Sequence, residues 1–303
     1  MRKILPGIGF CLMTSIALAQ QDPLYSQYIN NPFVLNPAYA GMTNNLNTAV
    51  SYRQQWAGME GNPTTINANG HISLLNNTMG AGLMVVSDNI GASSVNEVYG
   101  SYAYRIKLTG DKVLSFGLQG GFINTKTDNS TLTQRDPDDP LFTGETSTLS
   151  PGFGTGIILT DHKFFVGLSV PRLLEVSTTM GDFHPVLYTR HFYAMGSYIV
   201  FINERMRFKP SVLVKAVSGS PVSVDLNAAL ILFENYTGGI LVRDFSTYGI
   251  FLQGLIGNSF KLGYTFEVPT NKSVGTSFST HELMLGVRFD VLRFHSNSGV
   301  TSF

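Results

Sequence analysis

Six histidines, His71, His162, His184, His191, His281 and His295, are the side chains of this 303-residue chain best suited to proton transfer or metal ligation. Ester hydrolysis would need one of them against a Ser nucleophile, with a third group to orient the ring. Serines are plentiful, yet no local arrangement of His with Ser and an acid rises above chance, and no His or acidic residues have the spacing of a zinc site. The densest run of carboxylates is RDPDDPLFTGE, Arg135 to Glu145. It could offer oxygens to calcium but lacks the ligand register of a calcium loop. It reads as an acidic, solvated connection or a recognition loop, because long connections are where binding residues collect. No catalytic residue, metal site or cofactor is expected.

With no chemistry to position, the elements themselves must explain the chain. Met1-Arg2-Lys3 is a basic start, Ile4 to Ile16 is mostly apolar, and Ala17-Leu18-Ala19 supplies small residues for cleavage. That pattern predicts a secretory signal peptide over residues 1–19. The single cysteine, Cys11, lies inside it, so the exported part has no thiol or disulfide. Charged residues make up 13% of the chain, about half the usual share for soluble domains, while aromatics reach 12%. Net charge is zero, which leaves no basic surface for nucleic acid. After the signal, no apolar run approaches the length of a membrane-spanning helix. An exported, charge-poor chain rich in Gly and aromatics points to an all-β fold, a transmembrane antiparallel up-and-down β-barrel of the bacterial outer membrane.

Period-two alternation supports this. Val98, Gly100, Tyr102, Tyr104 and Ile106 interleave with Glu97, Tyr99, Ser101, Ala103 and Arg105. Leu114, Phe116, Leu118 and Phe122 alternate with Ser115, Gly117, Gln119 and Gly121, and Val222, Val224, Leu226 and Leu230 oppose Ser223, Asp225 and Asn227. The pattern predicts about fourteen strands. Seven are at 47–56, 64–74, 79–88, 95–108, 112–124, 152–160 and 163–170; seven more are at 189–202, 206–217, 221–233, 236–244, 248–256, 259–267 and 281–290. A soluble sandwich alternates too, but it leaves the signal and the depleted charge unexplained.

Every second connection is tiny, as at 75–78, 109–111, 161–162, 203–205, 234–235 and 257–258, while the others reach 125–151, 171–188 and 268–280. Outer-membrane barrels have short periplasmic turns and longer outer loops. An even strand number then places both ends on the short-turn side. The final strand, HELMLGVRF from His281 to Phe289, ends in an aromatic, although fourteen residues follow it.

Ahead of the first strand lies QDPLYSQYINNPFVLNPAYAG, Gln21 to Gly41, with four aromatics and three prolines. Proline removes a backbone donor and bars helix from the residue before it, so neither helix nor strand suits this stretch. A fourteen-strand ring is too wide for its own side chains to fill. The segment could plug that lumen, or it could lie in the periplasm against the short turns.

These residues carry a family resemblance. Asp22-Pro23, Ser26-Gln27-Tyr28, Asn31-Pro32 and Asn36-Pro37-Ala38-Tyr39-Ala40-Gly41 are followed by Arg53, Gln55, Trp56, Gly58, Pro63 and Thr64. Together with HELMLGVRF, they resemble the PorP/SprF family of type IX secretion system outer-membrane proteins. The resemblance implies a part in exporting or displaying a large secreted protein, such as a gliding adhesin with a C-terminal sorting domain. It also implies association with periplasmic ring and lipoprotein components, and no enzymatic activity. The residues alone leave a rival open, a diffusion channel or hydrophobic-substrate transporter with an unobstructed lumen.

The expected layout is therefore a signal peptide at 1–19, an irregular segment at 20–46, a barrel at 47–290 in contact with outer-membrane lipid, and a tail at 291–303. The residues expected to serve as plug or partner contacts are Tyr28, Asn36, Pro37, Tyr39, Gly41, Arg53, Gln55, Trp56 and Pro63. Arg53, a charge in the first strand, is expected to point into the lumen and to pair with Glu282 or Glu97. Trp56, the only tryptophan, suits the interfacial belt.

Overall fold

A computed structural model describes residues 25–43, 45–129, 144–177, 186–257, 259–271 and 274–289. The expected signal peptide, the tail at 291–303 and most of the acidic stretch from Arg135 lie outside the described residues, as do His184 and His295.

The first half of the chain forms β1 (Leu46–Ala57), β2 (Thr64–Leu74), β3 (Met79–Ile90), β4 (Ser93–Lys107), β5 (Val113–Asp128), β6 (Glu145–Thr160) and β7 (Phe164–Val170). A two-stranded hairpin, β8 (Val176–Ser177) with β9 (Val186–Tyr188), sits in the next connection. The ring resumes with β10 (His191–Tyr198) and β11 (Val200–Asn203), then β12 (Met206–Val217), β13 (Ser223–Leu232) and β14 (Tyr236–Arg243). It ends with β15 (Thr247–Ile256), β16 (Phe260–Pro269) and β17 (Ser279–Phe289). Successive strands of the ring pair antiparallel, β1 pairs with β17, and β10 joins β7 to β12. With β10 and β11 counted as one interrupted strand, the result is a closed ring of fourteen. Closure leaves no edge facing lipid, which an antiparallel sheet at membrane depth requires.

The alternation sorts the faces as the sequence pattern predicts. Val98, Tyr102, Tyr104 and Ile106 lie bare on the outside of β4, whereas Glu97, Tyr99, Ser101, Ala103 and Arg105 are buried within. Leu226 and Leu230 face out from β13 against inward Asp225 and Asn227. The outer face is a continuous band of aliphatic and aromatic side chains, suited to acyl chains.

Three local differences from the predicted strands have physical causes. The eighth ring strand breaks at Ile199, whose buried side chain turns inward while its N–H bonds the carbonyl of Lys163 at 2.7 Å. The loop predicted at 125–151 is shorter, because the β5–β6 ladder runs in register out to Asp128 opposite Glu145. Pro151 sits in that extension without breaking it. Its strand pairs with β5 there, while the β6–β7 ladder covers only Thr155–Thr160, so no ladder donor is demanded of the proline on that side. The connection between β3 and β4 is only Gly91-Ala92, with Gly91 at φ +55°, so two of the long-loop-side connections, this one and 244–246, are as tight as the short turns.

Candidate functional site

The described N-terminal residues, Tyr25 to Thr43, lie within the ring, and almost all of them are buried. Three single 3-10 turns span Gln27–Ile29, Pro32–Val34 and Pro37–Tyr39. Prolines open the second and third turns, where the missing N–H would have no partner in any case. Leu35 N–H bonds Pro32 O and Ala40 N–H bonds Pro37 O, each at 3.1 Å.

Such a backbone leaves carbonyls that no ladder satisfies, and leaving them unpaired inside a membrane protein is costly. The wall supplies the donors. Lys209 of β12 reaches Ile29 O at 3.4 Å, and Ser169 of β7 donates to Leu35 O at 2.7 Å. Ser115 of β5 donates to Ala38 O, and Arg105 of β4 to Ala40 O, both at 2.7 Å. In the other direction, His71 Nδ1 accepts from the Gly41 N–H at 3.1 Å, and Glu282 accepts from the Ser26 N–H at 2.7 Å.

The residues singled out from the sequence fall into two groups. Tyr28, Asn36, Pro37, Tyr39 and Gly41 lie inside the ring. The Tyr28 hydroxyl accepts from Asn227 at 2.8 Å. Asn36, fully buried, accepts from Ala38 N–H at 2.9 Å and donates from Nδ2 to Leu168 O and Ile157 O at 3.1 and 3.3 Å. Tyr39 packs edge-on against His71 and Phe165, with ring centroids 5.6 and 6.3 Å apart. Gly41 takes φ +64° in a place where a Cβ would strike the carbonyl of Ile72. Arg53 is the link between this group and the barrel's first strand.

Gln55, Trp56 and Pro63 are instead half-buried at the long-loop end of β1. Gln55 N–H bonds Pro63 O at 2.9 Å, and Trp56, at φ +55°, sits where the β1–β17 register shifts. They do not touch the N-terminal segment through any hydrogen bond among the described residues.

Arg53 points into the lumen and pairs with Glu282 at 3.1 Å, directly opposite on β17. Its second partner is Glu267 on β16, at 2.9 Å, and not Glu97. Glu97 lies three strands away on β4 and is held instead by Arg172, which enters from the connection after β7. Glu267 is shared with Arg243, which also pairs with Asp225 at 2.9 Å. The Ser26 hydroxyl sits at the centre, bonded to Glu267 and accepting from Arg53 at 2.9 Å. Five strands and the N-terminal segment thus meet in one buried network.

Glycines make the close approach feasible. A Cβ at Gly80, Gly117 or Gly156 would overlap Ala40, Ala38 or Asn36 respectively, and one at Gly82 would overlap the ring of Phe33. Among the described residues there is no cluster of His, Cys, Asp or Glu fit to hold a metal.

Residues 17–287 match the family described as type IX secretion system membrane protein PorP/SprF. The chain belongs to the PorP/SprF family. No curated protein sequence matches it. Among solved structures, the CymD monoaromatic hydrocarbon channel is similar over 90% of this chain and 94% of its own, at 9% identity and a TM-score of 0.50. The Acinetobacter baumannii outer membrane protein Omp33 is similar over 81% of this chain and 99% of its own, at 11% identity and a TM-score of 0.45. At these identities the likeness to CymD is one of fold, that of an outer-membrane β-barrel. This PorP/SprF protein is accordingly an outer-membrane barrel and a membrane component of type IX secretion.

Wall residues Arg105, Ser115, Ser169 and Lys209 were not singled out from the sequence. Their one sequence signal is a polar side chain on the inward register of a strand, which many residues share.

Proposed function

We propose that this barrel works as a closed, non-catalytic anchor that assists export or surface attachment of a large partner. The expected partner is an adhesin-type protein with a C-terminal sorting domain, met at the long-loop side near Gln55, Trp56 and Pro63. Periplasmic or lipoprotein components of the machinery would meet the short turns. Residues 20–46 serve as the plug, held by Tyr28, Asn36, Pro37, Tyr39 and Gly41.

The observation that carries this reading is the bonding of residues 26–41 to strands around the whole ring, including β2, β4, β5, β7, β12, β13 and β17. A barrel filled in this way suits holding a partner better than passing solutes. The test is co-purification from detergent-solubilised membranes, together with conductance in planar bilayers. Recovery of a large protein with a sorting domain, and little conductance until residues 20–45 are deleted, supports the proposal. A barrel that emerges alone and conducts freely would establish the rival, a diffusion channel or hydrophobic-substrate transporter.

A further inference from the structure

The lumen is segregated by charge. Toward the long loops, the buried carboxylates Glu97, Asp225, Glu267 and Glu282 are matched by Arg53, Arg172 and Arg243. On the other side of the N-terminal segment, at the short-turn mouth, a cavity of about 100 Å³ has Ile29, Arg207, Lys209, Glu234, Lys261 and Arg288 among its lining residues, four cations against one acid. Arg207 is paired with Glu234. Lys261 and Arg288 have no carboxylate partner among the described residues, and Lys261 lies within electrostatic reach of both Lys209 and Arg288. Lys209 is engaged with the Ile29 carbonyl, while Lys261 on β16 and Arg288 on β17 repel one another with no acid paired to either among the described residues. Fields of one sign focused in a low-dielectric mouth attract the opposite charge.

We infer that the short-turn mouth of the lumen is a docking basin for an acidic peptide segment, whose carboxylates sit against Lys261 and Arg288. The mouth opens to the periplasm, since short turns face that side. The basin is inside the ring, so lipid headgroups outside do not reach it. Two cations on adjacent strands exceed what a single carboxylate neutralises, which favours a chain bearing several. Its occupant therefore differs from a partner held at the long loops, and the inference stands whether or not the secretion reading holds.

The test uses the purified full chain in detergent and a fluorescent hexaglutamate peptide. Binding should be salt-sensitive and should fall about tenfold or more in Lys261→Gln/Arg288→Gln, because charge-assisted contacts to carboxylate are lost. A control, Lys107→Gln/Lys112→Gln, removes the same charge from exposed positions at another short turn and should leave binding unchanged. Heat-modifiable migration on gels verifies that each variant keeps its barrel. Equal loss in both double variants would reduce the effect to general surface charge and overturn the basin. So would unaltered binding in Lys261→Gln/Arg288→Gln, or displacement by inorganic phosphate as effective as by unlabelled hexaglutamate, which would make it a free-anion site.

Discussion

The side-chain oxygen of Asn36 lies over Gly156, so close that a Cβ at that glycine would overlap it. The same side chain caps the third 3-10 turn and bonds carbonyls of β6 and β7, so one asparagine holds both the turn and its seat. Gly156→Val should therefore dislodge the segment while leaving the ring paired, because the wall strand itself loses nothing. Overpacking of this kind costs about 1–3 kcal/mol. The expected readout is a folded barrel that now conducts in planar bilayers and is cleaved by added protease within residues 25–43. A variant with unchanged conductance and protection would mean that the segment tolerates displacement without opening the lumen.

Arg53 should be among the most sensitive residues in the ring. Glu267 and Glu282 each depend on it, and removing one partner from a buried pair leaves a charge uncompensated at a cost of about 3–5 kcal/mol. Arg53→Met should lower the temperature at which the band shifts on gels and should release Ser26 from crosslinking to β16. The exposed pair Lys126–Glu145 provides the contrast, and Lys126→Ala should leave the transition in place.

Much of this architecture is legible in the sequence because period-two alternation is strict wherever one face meets lipid and the other meets packed protein. Tyr102 and Ser101, or Leu226 and Asp225, could not exchange faces without placing charge or hydroxyl in lipid. The partner of Glu97 was not legible. Arg172 reaches it across the lumen from a connection, and no spacing rule links residues brought together by ring closure. The donors to the N-terminal carbonyls were hidden for the same reason: Ser115 and Ser169 look like ordinary inward residues until the irregular backbone is placed against them. The inward glycines 80, 82, 117 and 156 were the readable hint, since each forgoes wall packing on the face that most needs filling.

The long β5–β6 hairpin gives a depth ruler. Leu118, bare on the outer face about midway along the membrane-crossing part of β5, should resist charge, with Leu118→Arg costing about 2–4 kcal/mol. Leu149 is equally bare but lies eleven residues from the short-turn end of β6, where the hairpin leaves the hydrocarbon. Leu149→Arg should then cost no more than about 1 kcal/mol. Folding titrations into bilayers of one thickness would measure both. Equal penalties would place the whole hairpin within lipid.

Export should remove the first nineteen residues, since Ala17-Leu18-Ala19 offers small side chains at the cleavage position after a basic start and an apolar run. Mass spectrometry of the protein from membranes should then find a chain beginning at Gln20. The position matters for the lumen. Ser26, six residues on from that start, is fixed between Arg53 and Glu267. Replacing Ala17 and Ala19 by bulky residues should retain the apolar run ahead of Ser26, and the resulting chain should fail to seat Ser26 in its network. That failure would be read as lost crosslinking between residues 26 and 267 in barrels that otherwise assemble. A retained signal with normal crosslinking would mean that the network forms independently of where the mature chain begins.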